Sequence, residues 1–107
     1  MSLELGGNAP FIVFNDADLD VAANALMFAK FRNAGQACIA ANRVLVQEGV
    51  YKQFCDLMAS KVQSALVMGH GLEKTTTMGP LINSAGLDKV KIYRFSCVML
   101  ISSCYRD

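Results

Sequence analysis

The residues that could do chemistry gather in two stretches. One runs from Phe31 to Asn42, F-R-N-A-G-Q-A-C-I-A-A-N, with Cys38 near its centre. Cysteine is the strongest common side-chain nucleophile near neutral pH. Gly35 can adopt a positive φ and let the backbone come close to a ligand, and Ala34, Ala37, Ala40 and Ala41 leave room around the sulfur. The nearest acids upstream of Cys38 occupy positions 16 to 20, so a base for the thiol has to fold in from further away. The candidate is Glu4, in the second stretch, L-E-L-G-G-N-A-P. Arg32, six residues before the cysteine, carries a planar cation that can grip a carboxylate with two parallel hydrogen bonds. Each has an ordinary alternative: a small buried hydrophobe for the cysteine, a surface charge for the glutamate and the arginine.

The pattern of apolar residues predicts the elements that position these groups. Phe11-Ile12-Val13-Phe14 is a short continuous apolar run, as in a strand buried on both faces of a parallel sheet. Asn15 and Asp16 can cap the next element, and Asp18 and Asp20 favour a helix N-terminus. Leu19, Ala22, Ala23, Leu26 and Met27 recur at helical spacing, which predicts a deeply packed helix over 17–31. Beyond the cysteine loop, Arg43 to Gln47 reads as a second strand and Glu48-Gly49 as a turn. Tyr51, Phe54, Cys55, Met58, Val62, Ala65 and Leu66 then mark an amphipathic helix over 50–67, stopped by Gly69-His70-Gly71. On that face Cys55 is read as a buried hydrophobe, and His70 as a capping or surface residue. Ser84 can cap a last helix from about 85. Strand, helix, strand, helix in this order implies an α/β architecture with a parallel sheet.

Composition narrows the function classes. The chain has 107 residues, enough for one small domain, yet 53% are hydrophobic and 18% charged. That is apolar for so small a molecule and points to elements taken from the interior of something larger. A net charge of +1 leaves no electrostatic footprint for nucleic acid or an anionic membrane. No apolar run approaches the roughly 20 residues of a membrane span. Cysteines 38, 55, 97 and 104 have no C-x-x-C spacing and one histidine among them, which argues against zinc. Met1 is followed at once by Ser-Leu-Glu, with no signal peptide. Free thiols in a reducing compartment are therefore expected.

The E-L-G-G stretch and the G-Q-x-C stretch 34 residues later resemble the NAD(P)-dependent aldehyde dehydrogenases. K-F-R-N-A-G-Q-A-C, Lys30 to Cys38, is similar more narrowly to the succinate-semialdehyde dehydrogenase branch. The resemblance runs from about Ser2 to about Val90 and includes M-G-P-L-I-N, Met78 to Asn83, read as structural. It implies a partial catalytic domain over 1–91, incomplete at both ends, with a divergent tail over 92–107. It also implies roles. Cys38 attacks the aldehyde to give a thiohemiacetal, hydride leaves for the nicotinamide, and water activated by Glu4 hydrolyses the thioester. A base for this step has to lie within hydrogen-bond reach, with a pKa raised by burial. The Cys38 backbone N–H helps to hold the oxyanion, Arg32 binds the substrate carboxylate, and the backbone at Leu5 and Gly6 lies near the nicotinamide. Many relatives in this branch carry a second cysteine two residues after the nucleophile, able to close a redox disulfide. Ala40 stands there instead.

The resemblance further implies a small semialdehyde substrate, NAD or NADP as acceptor, a homo-oligomeric parent enzyme, and the mitochondrial matrix or cytoplasm as compartment. No G-x-x-x-x-G or G-x-G-x-x-G loop for a pyrophosphate occurs in the chain. The expectation is therefore a truncated, alternatively spliced or mis-assembled product, catalytically silent when isolated. Two alternatives belong to other classes: a non-catalytic isoform that binds parent subunits or chaperones, and a thiol-reactive module without turnover.

Overall fold

The structure, a computed structural model, describes residues 1–93. Expectations for Cys97, Cys104 and the tail from Arg94 onward lie outside the described residues. Two strands, β1 (Ala9–Val13) and β2 (Ala41–Val46), form a parallel pair. Parallel pairing demands a crossover connection, supplied here by α1 (Leu19–Phe31) and a short turn, Arg32–Gly35. Then follow α2 (Glu48–Ala65) and a last helix, α3, over 84–93.

The register places Phe11 opposite Val44, Ile12 opposite Leu45 and Val13 opposite Val46. Because strand side chains alternate, Phe11, Val13 and Val46 share the face that meets Ala23 and Leu26 of α1 and Phe54 of α2. Val13, Ala23 and Phe54 are almost wholly buried there. Lys61 ties the helices together outside this core, donating to Asn24 at 2.9 Å and lying 3.5 Å from the Asp20 carboxylate. The α/β architecture predicted from the sequence is thus present.

Burial departs from the sequence expectation. The strand 11–14 is covered on one face only: Ile12 and Phe14 are 54% and 60% exposed, and Leu45 beside Ile12 is 52% exposed. Among the described residues, α1 and α2 both pack into the one core, and Ile12, Phe14 and Leu45 stand outside it. Helix α1 is likewise buried along one stripe, Ala23 and Leu26, while Val21 and Phe28 face outward. Cys55 is exposed rather than buried. It borders an open apolar groove of about 460 Å³ with Val44, Tyr51 and Val62.

The caps also differ. Asp18, not Asn15 or Asp16, caps α1, its carboxylate accepting from the Val21 N–H at 3.0 Å. The Asn15 N–H donates instead to the Gln47 side chain at 2.8 Å, and the Gln47 N–H to the Val13 carbonyl at 2.9 Å. These bonds fix the entry to α2, so Glu48-Gly49 forms its first turn rather than a separate bend. A Cβ at Gly49 would press on the Asn15 side chain, which would have to shift. At the other end, the Thr77 hydroxyl donates to the Ala65 carbonyl at 2.6 Å and accepts from the Val67 N–H at 2.8 Å. Helix α2 therefore stops before Gly69. Asn83 rather than Ser84 caps α3, accepting from the Gly86 N–H at 2.9 Å. On the surface of α2, hydrogen bonding to Asp56 at 2.7 Å raises the Lys52 ammonium above its ordinary pKa.

Candidate functional site

Cys38 sits on the loop between α1 and β2, and the residues before it have unusual backbone. Asn33, Ala34 and Gly35 all take positive φ, at 54°, 55° and 75°. A non-glycine residue in this region is disfavoured because its Cβ crowds the following carbonyl, so a run of three needs outside support. Gln36 and Asn33 provide it: the Asn33 amide donates to the Gln36 carbonyl at 3.0 Å, and the Gln36 amide donates back to the Asn33 carbonyl at 3.1 Å. The side-chain oxygen of Gln36 also accepts from the Ile82 N–H at 2.9 Å, which docks the M-G-P-L-I-N segment onto the turn. Cys38 follows, exposed and unbridged, and the Ala40 N–H closes onto the Ala37 carbonyl at 3.1 Å. Ala40 itself is 2% exposed.

The segment that carries Glu4 is brought to this loop. Gly7 lies so close to it that a Cβ would overlap the Cys38 carbonyl oxygen. Asn42 donates to the Gly7 carbonyl at 3.2 Å, and Arg43 donates to the Asn8 carbonyl from Nε at 3.3 Å and Nη2 at 3.1 Å. Lys30 in turn donates to the Asn42 side-chain oxygen at 3.2 Å. The two stretches that carry chemistry, 35 residues apart along the chain, are therefore stitched together by backbone carbonyls and one polar relay.

Glu4 does not acquire the burial expected of it. It lies outside any helix or strand, exposed, with Leu5 72% exposed beside it. A Cβ at Gly6 would meet nothing within 4 Å, so the backbone there is open. Arg32 is exposed at the end of α1, its guanidinium carbon 5.9 Å from the centre of the Phe28 ring. A cleft of about 720 Å³ opens nearby, lined by Phe31, Met78, Pro80, Leu87 and Val90 among others, but neither Cys38 nor Glu4 contributes to it. His70 is exposed, and its Nδ1 accepts from the Leu72 N–H at 3.3 Å. Among the described residues, no group of three or more His, Cys, Asp or Glu could hold a metal ion, and no helix is long and apolar enough to cross a membrane.

Gln36, Asn42 and Arg43 are the members of this site that the reading of motifs passed over. Their signal was present: amide and guanidinium side chains flanking a cysteine loop otherwise made of alanine.

Residues 1–95 match the model of the aldehyde dehydrogenase family. Over 91 residues the chain is 58% identical to the mitochondrial succinate-semialdehyde dehydrogenase of Oryza sativa subsp. japonica, covering 85% of this chain and 17% of that protein. It is 52% identical over 91 residues to a 3-sulfolactaldehyde dehydrogenase of Pseudomonas putida, with 85% and 18% covered. The crystal structure of a succinate-semialdehyde dehydrogenase from Burkholderia pseudomallei superposes with a TM-score of 0.80 at 53% identity, over 83% of this chain and 18% of that one. The chain thus spans less than a fifth of the length of the relatives it matches. The family model runs through both the glutamate and the cysteine stretches, and the chain belongs to the aldehyde dehydrogenase family.

Proposed function

We propose that these residues carry the thiol, the base and part of the substrate site of an NAD(P)-dependent dehydrogenase acting on a small anionic aldehyde, of which succinate semialdehyde is the favoured case. The observation that carries this reading is the packing of Gly7 against the Cys38 carbonyl, which holds the Glu4 stretch beside the cysteine loop. The Cys38 thiolate adds to the aldehyde carbonyl, its N–H donating to the oxyanion of the thiohemiacetal. Glu4 withdraws the thiol proton and later a proton from the water that hydrolyses the thioester. NAD or NADP, when bound, supplies the acceptor for the oxidation between these two stages. Leu5 and Gly6 would hold the nicotinamide end, where the absence of a Cβ at Gly6 leaves the backbone open. Arg32 binds the distant anionic group of the substrate. The relatives support this, since succinate semialdehyde and 3-sulfolactaldehyde each carry an acid group away from the aldehyde.

The 107-residue chain by itself is proposed not to turn over. Cys38 and Glu4 are both open to water, whereas the thioester chemistry calls for a site from which bulk water is excluded. The test is NAD(P)H formation from succinate semialdehyde by the purified chain, with Cys38→Ala as control, alongside peptide-resolved alkylation of Cys38 in wild type and Glu4→Gln. The expected result is no turnover, with Cys38 alkylated more slowly when Glu4 is neutralised. Turnover by the wild type but not by Cys38→Ala would refute the silence of the chain. Alkylation unaffected by Glu4→Gln would refute the base.

A second reading is favoured by the bare sheet face of Ile12, Phe14 and Leu45. Here the chain acts by binding subunits of a parent enzyme or a chaperone. Loss of parent activity on mixing, abolished by Ile12→Ser with Leu45→Ser, would support it.

A further inference from the structure

We propose that Phe28 is a positioning residue for Arg32, and that the two together set the preference of Cys38 for anionic reagents and substrates. This rests on the reading of Arg32 given above and extends it to a residue with no assigned role. Three observations point the same way. First, the Arg32 guanidinium lies over the Phe28 ring, 5.9 Å from its centre. The two residues are one helical turn apart, the spacing at which side chains on a helix meet. Second, Phe28 is 70% exposed. Core packing does not account for a large aromatic ring standing in solvent beside a cation, whereas attraction between that cation and the face of the ring does. Third, Arg32 is uncommitted. Among the described residues, Arg43 spends its guanidinium on the Asn8 carbonyl and Lys30 its ammonium on Asn42, while no carboxylate lies within ion-pair distance of Arg32.

A long arginine side chain in water samples many rotamers, and ordering it on binding an anion costs conformational entropy. The ring reduces that cost by holding the guanidinium near one arrangement, and a guanidinium that stacks on a ring keeps its N–H edge available to an anion. The turn between Arg32 and Cys38 is closed by the paired Asn33–Gln36 hydrogen bonds, which fix the backbone path from the cation to the thiol.

The test needs neither cofactor nor turnover. Cys38 in the full 107-residue chain is alkylated with iodoacetate, an anion, and with iodoacetamide, its neutral counterpart, and the rates are resolved by peptide mass spectrometry. The ratio of the two rates is normalised to the same ratio at the exposed Cys55. Far-UV circular dichroism checks that each variant is folded. Arg32→Met should lower the normalised ratio. Phe28→Leu should lower it about two- to five-fold, the size of an exposed cation–π contact, and Phe28→Tyr should restore it. If Arg32→Met lowers the ratio and Phe28→Leu leaves it unchanged, the positioning role is overturned while the reading of Arg32 stands. If Arg32→Met changes nothing, the reading of Arg32 falls and the role of Phe28 with it.

Discussion

Two adjacent glycines give a sharp test of how the glutamate and cysteine stretches meet. Gly7 has no room for a side chain, because a Cβ would overlap the Cys38 carbonyl oxygen, whereas a Cβ at Gly6 would enter open space. Neither glycine has a positive φ, so Gly7→Ala and Gly6→Ala differ in the contact made rather than in backbone strain. The Cys38 oxygen is backbone and cannot swing aside, so the strand entry must move. Overpacking of this kind costs about 1–3 kcal/mol. The shift also lengthens the Asn42 bond to the Gly7 carbonyl and the Arg43 bonds to the Asn8 carbonyl, and exposed hydrogen bonds add about 0.5–1 kcal/mol each at most. A net loss of about 2–4 kcal/mol corresponds, for a domain of this size, to a fall in melting temperature on the order of 10 °C. Thermal unfolding followed by circular dichroism should show that fall for Gly7→Ala and little change for Gly6→Ala. The Cys38 alkylation rate should change in Gly7→Ala alone. If the two variants melt together and leave Cys38 equally reactive, Gly7 is not packed on the cysteine loop and the site described above does not form.

Two further substitutions probe the elements that hold the loop. Asp18→Ala removes the carboxylate that caps α1 and should cost about 1 kcal/mol; an unchanged denaturant midpoint would show that the cap contributes nothing. Ala34, held at φ 55°, is in a conformation that costs an L-residue roughly 1 kcal/mol or more. Ala34→Gly should therefore match or exceed the wild type in urea titration while Ala34→Val falls below it, and a reversed order would exclude the left-handed turn.

The candidate site was visible in the sequence because the chemistry proposed for it would need particular residue types in a row. A cysteine among alanines after Gly-Gln, and a glutamate before two glycines, are patterns that packing alone has little reason to produce. The strands and helices were legible through apolar periodicity, and Leu26, Phe54 and Met58 appear on the faces where it put them. What failed were inferences about surroundings. An apolar run such as Phe11 to Phe14 says that the strand can be buried on both faces, but burial belongs to whatever lies opposite, and among the described residues one face joins the core with α1 and α2 while Ile12 and Phe14 stay exposed. The exposure of Glu4 has the same cause, since its environment depends on what packs over the segment that carries it.

The caps were missed for a different reason. Asn15 and the Glu48-Gly49 pair are locally competent for the roles expected of them, but longer-range bonds intervene, Gln47 reaching Asn15 and Thr77 reaching Ala65, while Ser84 gives way to its neighbour Asn83. Gln36 shows the consequence most clearly. Its neighbours in sequence suggest only a turn, yet its side chain fixes both the strained Asn33 carbonyl and the Ile82 N–H, 46 residues further along. A polar side chain that satisfies two backbone groups from two segments does the work of a small core, and such a residue can be assigned only when both segments are seen together. The cysteine loop is held by bonds of this kind together with the burial of Ala40 and Ala41 beside it, while the thiol stays open to reagents.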